Sequence, residues 1–369
     1  MTTIETSTKA ARKVTTKQIV WFAFGVLIMV AIFAFAIPRF ADYGDVWAAM
    51  KTLTPLEALS LTAATVFNLV TYWLANQAAL PGLRLSQSAV VTQTGTSVAN
   101  TLPAGGAIAI GVTYAILGSW GFTAGETTLF VGVTGIWNIF TKLALPVIAL
   151  GLLVVAGYSN PALVGAAAIG IGVLAAAVVL LALVFKSKSM ARRVGAFVGK
   201  VISAVLKPFG KGPVNGMGDR AVKFRKETIV LVSRRWIRLT WTTVLSHVAL
   251  FFVLLLSLRN MGVSEQDVPT VEAFAVFAFS RLLSSVPITP GGVGVIDLGY
   301  IGGLTAIDQG EHAAIVAAVL IFRVLTYGIQ IPIGAATYFI WRRKKGWMRD
   351  TPPPGSIAGE LQAPEPATA

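Results

Sequence analysis

The sequence predicts an all-α protein of the membrane, a polytopic helix bundle of about six full spans and two broken helix pairs. Of its 369 residues, 55% are hydrophobic and 12% are charged, and a soluble domain carries about twice that charged fraction. Apolar runs of the roughly 20 residues needed to cross a bilayer recur along the chain. Two further apolar runs, at 88–121 and 274–305, are interrupted by proline and glycine.

Six apolar runs are the predicted spans, in chain order. They lie at about 19–37, 55–78, 126–156, 162–185, 239–258 and 311–340. Lysine and arginine concentrate before the first run, between the fourth and the fifth, and after the sixth. Because these residues mark the cytoplasmic side of a membrane protein, we expect a protein of the cell membrane with both termini in the cytoplasm.

The same pattern divides the chain into five regions. They are an N-terminal cytoplasmic tail (1–17), a first membrane half (18–185), a basic cytoplasmic segment (186–238), a second membrane half (239–341) and a tail (342–369). The last tail is rich in Pro and Ala and is expected to be disordered and cytoplasmic.

An amphipathic helix is predicted inside the basic segment. Arg193, Lys200 and Lys207 recur seven residues apart beside an apolar stripe. The stripe consists of Val194, Phe197, Val198, Val201, Ile202, Val205 and Leu206. Such a helix is typical of one that lies on the inner leaflet. A helix packed beneath the bundle is the alternative.

The two broken segments share one design. Segment 88–121 breaks at 102–106 and segment 274–305 breaks at 287–292, and each half is too short to span. Irregular backbone survives at membrane depth only inside protein or beside water. The flanking spans run in opposite directions, which predicts an inverted repeat of the kind that transporters use. Each segment is a re-entrant pair or a tight pair of crossings, and two unrelated kinks are the alternative to a repeat.

Charged residues at membrane depth predict a site for an anion. Arg281, Arg323 and Lys142 lie within apolar runs, and Asp297 follows the second break. Such charges are costly and often functional, and half-helices that begin after the glycine pairs would present free N–H groups to a phosphate. The predicted substrate-binding residues are Arg281, Arg323, Asp297, Lys142, Pro290, Gly291, Gly292, Gly105, Gly106 and Asn100.

Each of these residues also has a structural interpretation. Arg281 and Asp297 could form an ion pair, and Asp297 could cap the first turn of its half-helix. Lys142 could extend its charge to an interface. Asn100 could hydrogen-bond between helices.

Several other classes of function are excluded or disfavoured. With no cysteine and only two histidines, the sequence offers no disulfide, no thiol chemistry and no metal cluster. The basic residues flank apolar runs, so they indicate topology and not nucleic-acid binding. We find no nucleophile–His–carboxylate set and no nucleotide motif with a P-loop lysine. We therefore expect neither an enzyme nor a cofactor.

The stretch SVPITPGGVGVIDLGYIGGL (285–304), with Arg281 upstream and Arg323 downstream, carries a resemblance to a known family. This stretch resembles the family of the lysylphosphatidylglycerol synthase transmembrane region, whose members are also described as flippase-like integral membrane proteins. The likeness covers most of residues 15–340 and is carried by the pattern P-x-x-P-G-G-x-G-x-x-D/E. In longer members it implies a lipid-flipping domain joined to further spans and to a soluble aminoacyl-transferase domain.

The chain differs from that family pattern in two respects. Its 369 residues leave no room for the soluble domain, so we expect no synthase activity. In the first half, Gly111 stands where the second repeat has Asp297. The site is therefore expected to be asymmetric and weighted towards the C-terminal half.

The predicted function is transport of an anionic phospholipid, or of a polyprenyl or glycolipid phosphate, between leaflets. Arg281 and Arg323 would hold the phosphate, while Asp297 would orient them or carry a coupling proton. The alternative is a non-transporting scaffold that recruits lipid-modifying or cell-envelope biosynthesis enzymes through 186–238. A headgroup transferase with Asp297 as its base is a third hypothesis, for which one carboxylate gives little support.

Overall fold

The computed structural model describes residue 27 and residues 30–102, 105–158, 161–206, 213–285, 289–308 and 312–358. These ranges are mostly helical and contain no strand. Five helices in them are long and apolar enough to cross a membrane. The predicted all-α membrane bundle is therefore confirmed. The N-terminal tail and most of the first predicted span, 19–37, lie outside the described residues, as do the prolines of both breaks at 103 and 287.

We number the α-helices of the described ranges in chain order. They are α1 (Tyr43–Lys51), α2 (Pro55–Ala79), α3 (Leu85–Thr101), α4 (Gly105–Ser119), α5 (Ala124–Val155), α6 (Pro161–Lys186), α7 (Lys188–Leu206), α8 (Met217–Asn260), α9 (Thr270–Leu283), α10 (Val295–Thr305), α11 (Ala313–Arg323) and α12 (Gln330–Arg343). A π-helical stretch, Val324–Gly328, joins α11 to α12.

Helices α2 and α8 form a long antiparallel pair. Hydrogen bonds join α2 to the second half of α8, residues 238–260. Asn260 Nδ2 donates to the Glu57 carbonyl, Asn68 Nδ2 donates to the Ser246 carbonyl, and an Arg238–Gln77 contact lies near the other end. Polar side chains placed between spanning helices satisfy their hydrogen-bonding groups across the interface, away from lipid. The pairing fixes opposite directions for the two helices that precede the broken segments.

The boundary predicted at 238 is not a structural boundary. Helix α8 is continuous over 44 residues and joins the basic segment to the fifth predicted span. Hydropathy identifies only the part of a helix that lies in lipid, and the polar first half of α8 is stabilised by packing on α7. Gly195 and Gly199 of α7 let Ala221 and Met217 of α8 come close.

The amphipathic character of α7 is present in the structure. The face that carries the glycines packs on α8, whereas Phe197, Val198 and Val201 are exposed. Its position on a leaflet stays a prediction.

Each broken segment folds as an antiparallel pair of helices. We call α3–α4 hairpin 1, in which Gly95 faces Thr113, and α9–α10 hairpin 2, in which Gly303 faces Val276. Hairpin 1 packs mainly on α12, and hairpin 2 packs through α9 on α5. Each hairpin therefore contacts a helix that follows the other hairpin in the chain: α12 follows hairpin 2, and α5 follows hairpin 1.

The contact between α3 and α12 is close. A Cβ on Gly334 would overlap the Gln93 carbonyl, so glycine is required for this approach. Ser97 Oγ then donates to the Ile331 carbonyl at 3.0 Å, and the Thr94 and Thr337 hydroxyls are 3.0 Å apart. The two helices are antiparallel. The start of α3 lies towards the end of α12, and the end of α3 lies near residue 330.

The C-terminal segment 345–358 packs against the base of hairpin 1. Arg349 N donates to the Ser119 carbonyl, and Ala358 N donates to Glu126 Oε1. Trp347 packs edge-on against Trp120. The prediction of a disordered tail from 342 is thus wrong for 342–358, because apolar side chains anchor a segment that its proline content marked as unstructured. Residues 359–369 lie outside the described ranges.

These contacts distinguish two ends of the bundle. At the end that we call the basic end lie residues 345–358, the outer ends of α3 and α4 and the start of α5. At the opposite end, Val46, Val263 and Val268 belong to one apolar cluster. Tyr158, just after α5, interacts there with Glu272, at the start of α9.

Candidate functional site

The inner ends of the two hairpins meet at Tyr327. Its hydroxyl donates to the Asn100 carbonyl at 2.9 Å, at the end of α3. Its ring lies against Gly291, in the turn of hairpin 2, where a Cβ would overlap the ring. Tyr327 stands near the centre of the 31-residue stretch Ala313–Arg343. One side chain halfway along a spanning stretch therefore contacts both breaks.

Glycine is required in the turn of hairpin 2. Pro290 begins a 3-10 turn in which Gly291 and Gly292 have φ of 60° and 72°. Side chains other than glycine rarely adopt such angles. Thr289 Oγ1 donates to the Val293 carbonyl at 2.8 Å and closes the turn. The described part of the predicted break, 289–292, thus places Gly291 under the Tyr327 ring.

Asp297 pairs with Arg323 and caps α10. Arg323 Nε lies 2.5 Å from Asp297 Oδ1, but the approach does not satisfy hydrogen-bond geometry, so the contact is chiefly electrostatic. Asp297 Oδ2 accepts a hydrogen bond from Gly294 N at 2.7 Å. The two side chains are 2% and 16% exposed. The guanidinium of Arg323 also lies over the Tyr327 ring, at 4.9 Å from its centroid.

This pairing corrects two predictions. The partner of Asp297 is Arg323, because α10 and α11 pack side by side, and not Arg281. The start of α10 is also not open to an anion, because the Asp297 carboxylate already occupies it. The predicted phosphate site at the second glycine pair is therefore replaced by an internal cap.

Arg281 has no carboxylate partner among the described residues. Its Nη2 donates weakly to the Tyr72 hydroxyl at 3.4 Å, and its buried Nε has no hydrogen-bond partner. Arg281 lies within electrostatic range of Lys142 on α5 and of His247 on α8. Two cations from α9 and α5 are thus within electrostatic range of each other, in the part of the bundle where these two helices pack together.

The remaining predicted residues lie around hairpin 1. Asn100 contributes its backbone carbonyl to the contact with Tyr327. Gly105 begins α4 and is pressed against the backbone of Val98 and Ala99, whereas nothing lies within 4 Å of a Cβ built on Gly106. Gly105 therefore serves the turn of the hairpin, and Gly106 leaves open space at the start of α4.

Sequence reasoning missed four polar side chains of this region. Tyr72, Tyr327 and Tyr300 border the charged residues, and His247 is buried with its Nε2 unpaired. Tyr327 and Tyr300 lie four and three residues after the predicted Arg323 and Asp297, a helical spacing that could have signalled them. Tyr72 and His247 have no such neighbour in the sequence. Only the antiparallel pairing of α2 with α8 could have placed Tyr72 near His247, whose rings are 6.5 Å apart.

The family comparison covers nearly all of this arrangement. A search of curated proteins finds no match to the chain. The family model described as "Lysylphosphatidylglycerol synthase TM region" matches residues 22–334, which include both hairpins and every charged residue of the site. Since the match extends over more than half of the sequence, the chain belongs to the lysylphosphatidylglycerol synthase TM region family.

Proposed function

We propose that this protein moves a lipid with an anionic headgroup between the two leaflets, and that Arg281 binds the headgroup. Its family ties the chain to lipid handling in the membrane. One observation carries the proposal. Arg281 is a partly buried cation with an unpaired donor, in electrostatic range of a second cation, Lys142, and without a carboxylate partner among the described residues. Such groups within spanning segments mark substrate pathways.

The arrangement of the hairpins supports transport. We infer that hairpin 1 enters from the basic end and hairpin 2 from the opposite end, and that both stop near the middle of the membrane. Helix α3 has 17 residues and α10 has 11, so at about 1.5 Å per residue both are shorter than the roughly 30 Å hydrocarbon core. Two units of opposite direction with broken helices at their centres are the arrangement that places a transport site at the midplane.

The charged groups have different roles in this proposal. Arg281 and Lys142 attract and hold the phosphate. Arg323 and Asp297 neutralise each other and fix α10 against α11, and Tyr327 joins the two hairpin ends. Movement of one hairpin relative to the other would expose the phosphate first to one leaflet and then to the other. Lipid movement would be passive or coupled to a gradient.

A transport assay on purified protein tests the role of Arg281. We expect Arg281→Gln to slow the movement of a fluorescent phosphatidic acid across proteoliposomes about 10- to 100-fold, because a hydrogen bond to a charged group contributes about 1.5–3 kcal/mol. The matched control is Arg238→Gln, which removes an exposed arginine in the middle of α8, beside Gln77 near the end of α2. Arg281→Lys, which keeps the charge, should retain part of the rate.

The proposal fails if Arg281→Gln, folded as judged by its elution profile and unfolding temperature, transports at the rate of the unchanged protein. It also fails if Arg238→Gln slows transport to the same extent.

A second candidate function is favoured by α7. Phe197, Val198 and Val201 are exposed beside Arg193 and Lys200, as expected for a surface that binds the inner leaflet or recruits an envelope-biosynthesis enzyme. Arg193→Gln with Lys200→Gln separates the candidates. A scaffold would lose its function, whereas a transporter keeps most of its transport rate.

A further inference from the structure

We infer that the headgroup bound at Arg281 carries two negative charges, as a phosphate monoester or diphosphate does, and not the single charge of a phosphodiester lipid. The inference rests on the proposed function and specifies its substrate. It follows from how the charged side chains pair with one another near the hairpin turns.

The charges of this region are unequal. Arg323 and Asp297 form a pair, and that carboxylate is capped a second time by Gly294 N. Arg281 and Lys142 remain, in range of each other. Among the described residues, no carboxylate contacts Arg281 or Lys142. Two positive charges are therefore in excess. Unpaired charge away from water is costly, and a partner of opposite sign removes that cost.

Within the described ranges, the titratable side chains that neighbour these two cations are aromatic and not carboxylates. The titratable groups that face them are Tyr72 on α2, His247 on α8 and Tyr300 on α10. A phosphodiester would leave one of the cations without a partner, whereas a phosphate monoester carries about two negative charges at pH 7.

The geometry also suits a group that reaches two helices. Arg281 lies on α9 and Lys142 lies on α5, which pack against each other. The buried Nε of Arg281 has no acceptor. Arginine presents a planar fork of donors to a phosphate, and lysine acts as a compact point charge. A terminal phosphate has three free oxygens, enough to accept hydrogen bonds from donors on both side chains.

A matched pair of ligands tests this inference. Hexadecyl phosphate and methyl hexadecyl phosphate share one chain and differ in a single ionisable oxygen. Binding is measured by calorimetry with the full chain in nanodiscs of uncharged lipid. We expect the monoester to bind at least about 10-fold more tightly at pH 7.5. The preference should shrink at pH 5, where the monoester is mostly singly charged, because its second pKa is about 6.

Lys142→Gln is the decisive variant. It should weaken binding of the monoester at least about 10-fold more than binding of the diester, and so remove the preference for the monoester. Equal binding of the two ligands at pH 7.5, or a preference that survives Lys142→Gln, overturns the inference. The proposed function then still stands if Arg281→Gln weakens both ligands. If Arg281→Gln weakens neither of them, the proposed function itself fails.

A competition with inorganic phosphate separates a lipid from a soluble ligand. We expect millimolar inorganic phosphate to displace little hexadecyl phosphate, because the alkyl chain contributes about 0.8 kcal/mol for each buried CH₂. Displacement at equal concentrations would contradict a lipid ligand.

Discussion

Replacing Asp297 by Ala is expected to destabilise the protein by about 3–5 kcal/mol, the usual effect of removing one partner of a buried ion pair. The change leaves Arg323 uncompensated in a position where its side chain is 16% exposed. It also removes the acceptor of Gly294 N at the start of α10. Thermal unfolding in detergent measures the loss, and the midpoint should fall by roughly 10 °C.

Two further variants separate the effects of charge and cap. Asp297→Asn removes the charge but keeps an oxygen that can accept the hydrogen bond from Gly294 N. It should therefore lower the stability less than Asp297→Ala does. Combining Asp297→Asn with Arg323→Gln should recover much of the loss, because no buried charge is then unpaired. The control is Arg192→Gln, which breaks the Arg192–Asp219 pair, with side chains 66% and 78% exposed, and should cost at most about 1 kcal/mol.

If Asp297→Ala and Arg192→Gln have equal effects, the Asp297–Arg323 pair does not hold α10 against α11. If the double variant is no more stable than either single one, the coupling of the two charges is refuted.

The second large effect is expected at Gly291. Gly291→Ala places a methyl group within the Tyr327 ring and must push apart the turn of hairpin 2 and the π-helical stretch. We expect a loss of about 2–4 kcal/mol, from overpacking of about 1–3 kcal/mol and backbone strain of about 1 kcal/mol. Transport should fall with it, because Tyr327 also holds the end of hairpin 1.

Gly262 provides the matched control for this variant. Its φ is +83°, and nothing lies within 4 Å of a Cβ built there. Gly262→Ala therefore measures backbone strain without the overlap and should cost about 1 kcal/mol. Adding Tyr327→Ala to Gly291→Ala should restore part of the stability. Equal losses for Gly291→Ala and Gly262→Ala would mean that the Tyr327 ring does not pack on the turn.

The long apolar helices of the described ranges and the interruptions between shorter ones could be predicted from the sequence, because both depend on local composition. A run of 20 apolar residues fits a bilayer, and proline and glycine end helices wherever they cluster. The predicted run 162–185 corresponds to α6, Pro161–Lys186. The predicted boundary at 238 does not coincide with the end of a helix, because hydropathy follows the apolar part of α8 whereas its backbone is helical over Met217–Asn260.

The pairing of side chains could not be predicted, because it depends on which helices lie side by side. Arg281 and Arg323 are both single cations in apolar runs, and Arg281 is the closer of the two to Asp297 along the chain. The structure pairs Arg323 with the carboxylate and leaves Arg281 beside Lys142, on a helix from the other half of the chain. That difference moved the candidate anion site from the glycine turn of hairpin 2 to the interface of α9 and α5.

The claim that two hairpins enter from opposite ends is tested most directly by labelling single cysteines, since the chain has none of its own. Ser86→Cys and Gly118→Cys mark the outer ends of hairpin 1, and Gln266→Cys and Ala306→Cys flank hairpin 2. In sealed vesicles of known orientation, a thiol reagent that cannot cross the membrane should label the first two from the side that labels Lys345→Cys. It should label the last two from the other side. Labelling of Ser86→Cys and Gly118→Cys from different sides would contradict the account.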